Sequence, residues 1–184
     1  MSSAPAPDEV PARMERRRDG RVFQAQDGTR YALLTGVRLL VNLRVHGDGG
    51  IRLGLGECLI DTEATLASFP YQEWRGVLDG GGGAPSLIEW LAPAASGGGG
   101  PPAAPPAPPA PGTSGVGRIR VTLYGTPPDD SGAFLESGSF DLVAEFLPPG
   151  APLPRIVLPF PGNAHLPWEQ LRLDVNAEVA WLTR

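Results

Sequence analysis

Residues 118–130, RIRVTLYGTPPDD, decide how this chain is to be read. Ile119, Val121 and Leu123 alternate with Arg118, Arg120 and Thr122, the period-two pattern of a strand with one buried face. Pro127, Pro128, Asp129 and Asp130 then close it with turn residues. Directly before it lies SGGGGPPAAPPAPPAPGTSG, residues 96–115, which contains no side chain able to bury appreciable area and whose prolines withhold backbone donors. Ordering such a tract costs entropy with nothing to offset it. Structure that resumes at once after it implies either two domains or one domain with an extruded loop. The flanks, roughly 75 and 70 residues, are each small for an independent all-β unit. The reading is therefore a disordered arm over 1–19 and a single β-rich domain over 20–184, interrupted by a disordered insertion at 96–117 whose length costs only logarithmically.

Further along, SFDLVAEFL places Phe140, Leu142, Ala144 and Phe146 on one face. RIVLPF is a short run stopped by Pro159 and Pro161, which marks an edge strand or a bulge. In LRLDVNAEVAW, Leu171, Leu173, Val175, Ala177, Val179 and Trp181 alternate with mostly polar neighbours, which predicts one extended half-buried strand of eleven residues. Before the tract, RVFQAQDGTRYALL reads as a hairpin turning at Asp27-Gly28, a pair suited to a type I′ turn with positive φ at both central residues. A second hairpin has Val37, Leu39, Val41, Leu43 and Val45 on its outgoing strand and Ile51, Leu53, Leu55 and Leu59 on its return, with Gly54 and Gly56 allowing a bulge. Apolar spacings of three and four through DTEATLASFPYQEWRGVLDG predict broken helix around Pro70, and Ser86 with Glu89 has the spacing of a capping box. The expected fold is mainly β, with α+β left open: an antiparallel sandwich or barrel-like sheet with one or two short helices and a long disordered Gly/Pro/Ala loop.

Composition excludes several functions. All fifteen basic residues are Arg, against twenty carboxylates, so a net charge of −5 argues against a surface built wholly to trap polyanions. Cys58 has no second cysteine to pair with, so the fold does not depend on an oxidising compartment and an intracellular setting is expected. The N-terminal stretch lacks the apolar core of a secretion signal, and no apolar run is long enough to span a bilayer, so no membrane association is expected.

No stretch announces chemistry. GLGE at 54–57 would need its third glycine at Leu59 to bind a dinucleotide, so it reads as a bulged strand, and the 80–86 glycines lack the lysine of a phosphate loop. His46, His165 and Cys58 have no metal-ligand spacing, and Asp129-Asp130 supplies too few oxygens for a divalent ion. No catalytic residue, cofactor or metal is expected, although a site assembled in space around His46 or His165 is the hydrolase alternative. Two groups remain. Arg13, Arg16, Arg17, Arg18 and Arg21, with Arg30 beyond, form a basic cluster diluted by Glu15, Asp19 and Asp27, read as a solvated tail with an import signal or nucleic-acid patch as the functional alternative. Phe69, Tyr71 and Trp74 in FPYQEW are core anchors by preference and interface aromatics by alternative.

The order and spacing of GVRLLVNLRV, the aromatic-Pro-Trp element FPYQEW (Phe69–Trp74) and the strand ending VTLYGTPP (Val121–Pro128) resemble a family of small nuclear accessory proteins encoded in the unique-long region of alphaherpesvirus genomes. The two short motifs cover less than a tenth of the chain. The resemblance implies a viral protein of the host-cell nucleus, accessory to replication, with no established enzymatic activity. The expected function is a noncatalytic interaction or accessory protein with a protein partner of unspecified identity and oligomeric state; nucleic-acid binding through the Arg cluster is the second reading.

Overall fold

A computed structural model describes residues 9–47, 52–70, 76, 78, 86–92, 108–110, 112–126, 134–148, 156–160, 166–174 and 176–183. Their strands, in chain order, are β1 (Glu9–Gln24), β2 (Arg30–His46), β3 (Arg52–Asp61), β4 (Ala67–Pro70), β5 (Glu89–Trp90), β6 (Gly115–Gly125), β7 (Leu135–Glu136), β8 (Phe140–Leu147), β9 (Ile156–Pro159), β10 (Gln170–Asp174) and β11 (Val179–Thr183). Six of them close a barrel in the order β2-β3-β9-β4-β8-β6, with β6 returning to β2. Most pairings are antiparallel, but β3–β9 and β4–β8 are parallel. Strands from both sides of the Gly/Pro/Ala tract hydrogen-bond to one another, and one cluster of buried side chains draws on both. Residues 96–107 and 111 of the tract lie outside the described residues, and its end, from Gly115, is already strand β6.

The length of β2 organises the molecule. From Asn42 to Val45 it is flanked by β3 and β6 and belongs to the barrel. From Arg30 to Leu40 the edge that would face β6 pairs with β1 instead. The sheet β10-β11-β1-β2 therefore branches off the barrel where β2 changes partner. At the branch, the end of β6 passes under β1 so closely that a Cβ on Gly125 would sit 2.0 Å from the Pro11 carbonyl oxygen. Only a residue without a side chain fits there.

Phe69 and Phe146 anchor the interior, stacked with centroids 5.2 Å apart, and Trp90 meets Phe146 edge-on at 5.3 Å. Both phenylalanines are fully buried, each stabilising by about 1.5–3 kcal/mol relative to exposure. Trp168 lies edge-on to Phe140 at 5.2 Å and packs with Leu123, Leu158 and Leu182 around a residual space of about 10 Å³. That space is at the lower limit for a single water.

Several expectations are corrected. Residues 9–19 are strand rather than disordered arm: Val10, Ala12 and Met14 point inward and are buried, while 1–8 lie outside the described residues. The expected eleven-residue strand at 171–181 is a hairpin, β10 to β11, because the Asp174 carboxylate accepts the Asn176 and Ala177 amides and turns the chain. β9 is no edge strand; it lies between β3 and β4 with all four residues buried. The expected bulge at Gly54–Gly56 is present, with Gly56 at φ 90°, and it inverts the side-chain parity. Cys58 and Ile60 consequently point into the core, whereas Leu59 is only half-buried. β4 occupies Ala67–Pro70 within the stretch where broken helix was expected, and β5 stands in place of the expected capping box, with Ser86 Oγ accepting the Ile88 amide. Among the described residues, helical backbone is confined to Gly76 and Leu78.

Candidate interaction surface

Beyond the branch, β1 and β2 continue together as a two-stranded arm. Register holds from Arg13↔Leu40 to Arg17↔Gly36, slips at Arg18 and again before Val22, and resumes as Val22↔Ala32, Phe23↔Tyr31 and Gln24↔Arg30. The tip matches the expected hairpin but not the expected turn. Gly28 alone has positive φ, at 85°, and its amide donates to the Ala25 carbonyl at 3.0 Å while the Ala25 amide donates to the Thr29 carbonyl at 2.9 Å. That is a type I turn followed by a left-handed glycine, the commonest three-residue solution. The Asp27 carboxylate accepts the Thr29 amide at 2.9 Å, which holds its pKa below the ordinary aspartate value.

All eleven residues from Arg21 to Tyr31 are exposed. Phe23 and Tyr31, directly opposite one another, are 52% and 56% exposed, and Val22 on the other face is 56% exposed. A ribbon of two strands with no face on a core is marginal in water, so an aromatic pair displayed on one is a notable placement. The sequence signal for it was the Asp-Gly turn flanked by Phe23 and Tyr31, but nothing in the pattern shows that the barrel leaves this hairpin uncovered.

The basic cluster lies along β1, at the base and along the edge of this arm. Arg13 donates to Glu15 at 2.8 Å and Glu57 at 2.5 Å, and the Glu57 hydrogen bond is the main cause of its raised pKa. Arg16 pairs with Glu178 at 3.2 Å. Arg21 is exposed, and the side chains of Arg17 and Arg18 lie outside the described set although their backbones pair with Gly36 and Leu34. The cluster is thus structured, and its inner members are engaged with carboxylates. An open cleft of about 220 Å³ lies at the branch, lined by Arg13, Asn42, Glu57, Thr126 and Glu178 among others. Glu178 adopts a left-handed conformation, φ 56°, and its carbonyl accepts the Met14 amide at 3.1 Å.

Of the expected interface aromatics, only Phe69 lies among the described residues. Phe69 is fully buried against Phe146, a core position, and Tyr71 and Trp74 lie outside the described residues. His46 Nε2 hydrogen-bonds Thr122 Oγ1 across the β2–β6 seam, and His165 and Asp129-Asp130 lie outside the described residues. Cys58 is completely buried, which pushes its thiol pKa far up and leaves it a poor nucleophile. Arg44 sits over the Tyr124 ring at 4.4 Å and pairs with Glu136, a contact that ties β2, β6 and β7 together. Among the described residues no three His, Cys, Asp or Glu side chains gather as a metal site, and no helix is long and apolar enough to cross a membrane. In comparisons with known protein families, characterised proteins and solved structures, nothing matches this chain.

Proposed function

We propose that this chain is a noncatalytic interaction module in which the barrel is a rigid mount and the β1–β2 arm is the element that meets a macromolecular partner. The observation that carries this reading is the uncovered tip, with Phe23 and Tyr31 held opposite one another and more than half exposed. Exposed, pre-organised aromatics beside arginines have the composition of binding hot spots. An arm of about twenty residues, 17–36, also approaches the 20–30 residues that each side of a standard interface contributes. A nucleic-acid partner is less favoured because the chain carries a net charge of −5 and its arginine cluster is interleaved with Glu15, Asp19 and Asp27. The two motifs resembling alphaherpesvirus accessory proteins support a site of action in the host-cell nucleus, which imaging of the tagged chain with and without Arg16–Arg18 substitutions tests.

The interaction reading is tested by placing a photo-crosslinking residue at position 23 in the full chain. A discrete adduct that disappears with Tyr31→Ser is expected. Adducts that form equally from a position on the barrel wall, such as Arg120, refute the reading.

A further inference from the structure

β11 covers the outer edge of β1 only from Glu9 to Arg13, and the last contact on that side is the Met14 amide donating to Glu178. From Glu15 to Gln24, β1 has β2 on one side and, among the described residues, no strand on the other. We propose that this open edge takes an extended acidic peptide segment as an additional strand, in the place in the sheet that β11 vacates. The inference rests on the interaction-module reading and names the class of partner.

A strand edge presents amides and carbonyls together, and both want partners. A peptide in β conformation supplies both, whereas a nucleic-acid backbone supplies acceptors to the amides but few donors to the carbonyls. Charge selects among peptides. Residues 13–31 carry six arginines against Glu15, Asp19 and Asp27, and with Glu57 and Glu178, which pair with Arg13 and Arg16, one positive charge remains in excess in a chain of −5. Arginine along an edge is also how proteins guard against self-pairing. Here it works in both directions: two copies joined antiparallel through β1 would bring Arg16, Arg17 and Arg18 of one against those of the other, which is unfavourable. An incoming strand bearing carboxylates finds the opposite. The register slips after Arg17 and before Val22 divide the edge, leaving Glu15–Arg17, next to the end of β11, and Val22–Gln24, next to the aromatic pair, as its two regular stretches. This mode combines backbone hydrogen bonds for affinity with side-chain complementarity for specificity.

The test uses the full chain and three probes: a capped eight-residue alternating Glu-Val peptide, the same peptide N-methylated at alternate residues, and the Lys-Val counterpart. Binding is followed by fluorescence anisotropy and by backbone amide shifts. The Glu-Val peptide is expected to bind saturably and shift amides between Glu15 and Gln24, with at least about tenfold weaker binding for each of the other two. Equal binding of the N-methylated peptide overturns strand addition. Tighter binding of a twelve-residue oligothymidylate overturns the acidic-peptide assignment in favour of a polyanion site, and concentration-dependent self-association that shifts the same amides overturns it in favour of a second copy. Absence of Glu-Val binding while the position-23 adduct still forms refutes this inference and leaves the module reading standing. Loss of the adduct with peptide binding intact refutes the tip as the contact element.

Discussion

Replacing Gly125 by alanine tests the branch in the fold directly. The new Cβ would lie 2.0 Å from the Pro11 carbonyl oxygen, 3.1 Å from its carbonyl carbon and 3.2 Å from its Cγ. Ordinary contact begins near 3.4 Å, so β1 must retreat by about 1.4 Å. It is not free to do so, because Val10, Pro11 and Ala12 are paired with Leu182, Trp181 and Ala180, and Arg13 with Leu40. Overpacking costs about 1–3 kcal/mol when side chains can rearrange. The obstacle here is backbone, which places the clash near the top of that range, at about 3 kcal/mol. Alanine also removes about 0.4–1 kcal/mol of unfolded-state entropy, an effect of opposite sign. The net loss is about 2 kcal/mol, or a fall of about 4–8 °C in Tm for a chain of this length. Urea unfolding followed by tryptophan fluorescence measures it, with Gly76→Ala as the control, since nothing lies within 4 Å of a Cβ there. If the two variants prove equally stable, β1 does not lie across β6 as described.

Phe146→Ala removes the ring that Phe69 stacks on and Trp90 abuts, and is expected to lose about 3–5 kcal/mol in urea unfolding. Phe23→Ala, at the uncovered tip, should stay within about 0.5 kcal/mol in the same assay. The depressed pKa of Asp27 means that its contribution to the arm turn is fully present above the ordinary carboxylate value of 3.8 and is lost as pH falls through the lower folded value. A pH titration of the Asp27 carboxyl and Thr29 amide resonances should report that midpoint, and a midpoint at or above 3.8 contradicts the hydrogen bond. The Cys58 thiol should resist iodoacetamide in the native protein and react fully once the chain is unfolded in denaturant.

Period-two alternation made the long strands legible. β6 and β8 bury the residues their sequence puts on one face, Ile119, Val121 and Leu123 in the first and Leu142, Ala144 and Phe146 in the second. Alternation misled at 171–181, where apolar and polar residues keep their order straight through a turn made by one aspartate side chain. In β1, Val10, Ala12 and Met14 already alternate, but neighbouring prolines and arginines give the segment the composition of a solvated tail, and its burial comes from contacts with β11 and β6. β9 is a four-residue run whose place between two strands is set by parallel pairing with β3 far along the chain, which local pattern cannot express. The arm was visible as a hairpin; its isolation from the core was not, because exposure of a face depends on what the rest of the chain leaves uncovered.

One strand serves both the closure of the barrel and the projection of the arm, and this divides the molecule by its tolerance of change. Residues may be added or removed around Gln26–Thr29 with the seam at Asn42–Val45 undisturbed. A single insertion between Val37 and Asn42 would shift the two duties out of phase, since the same backbone must keep step with β1, β3 and β6 at once. Variation in the length of this ribbon is therefore accommodated at its far end, whereas its root must keep its residue count.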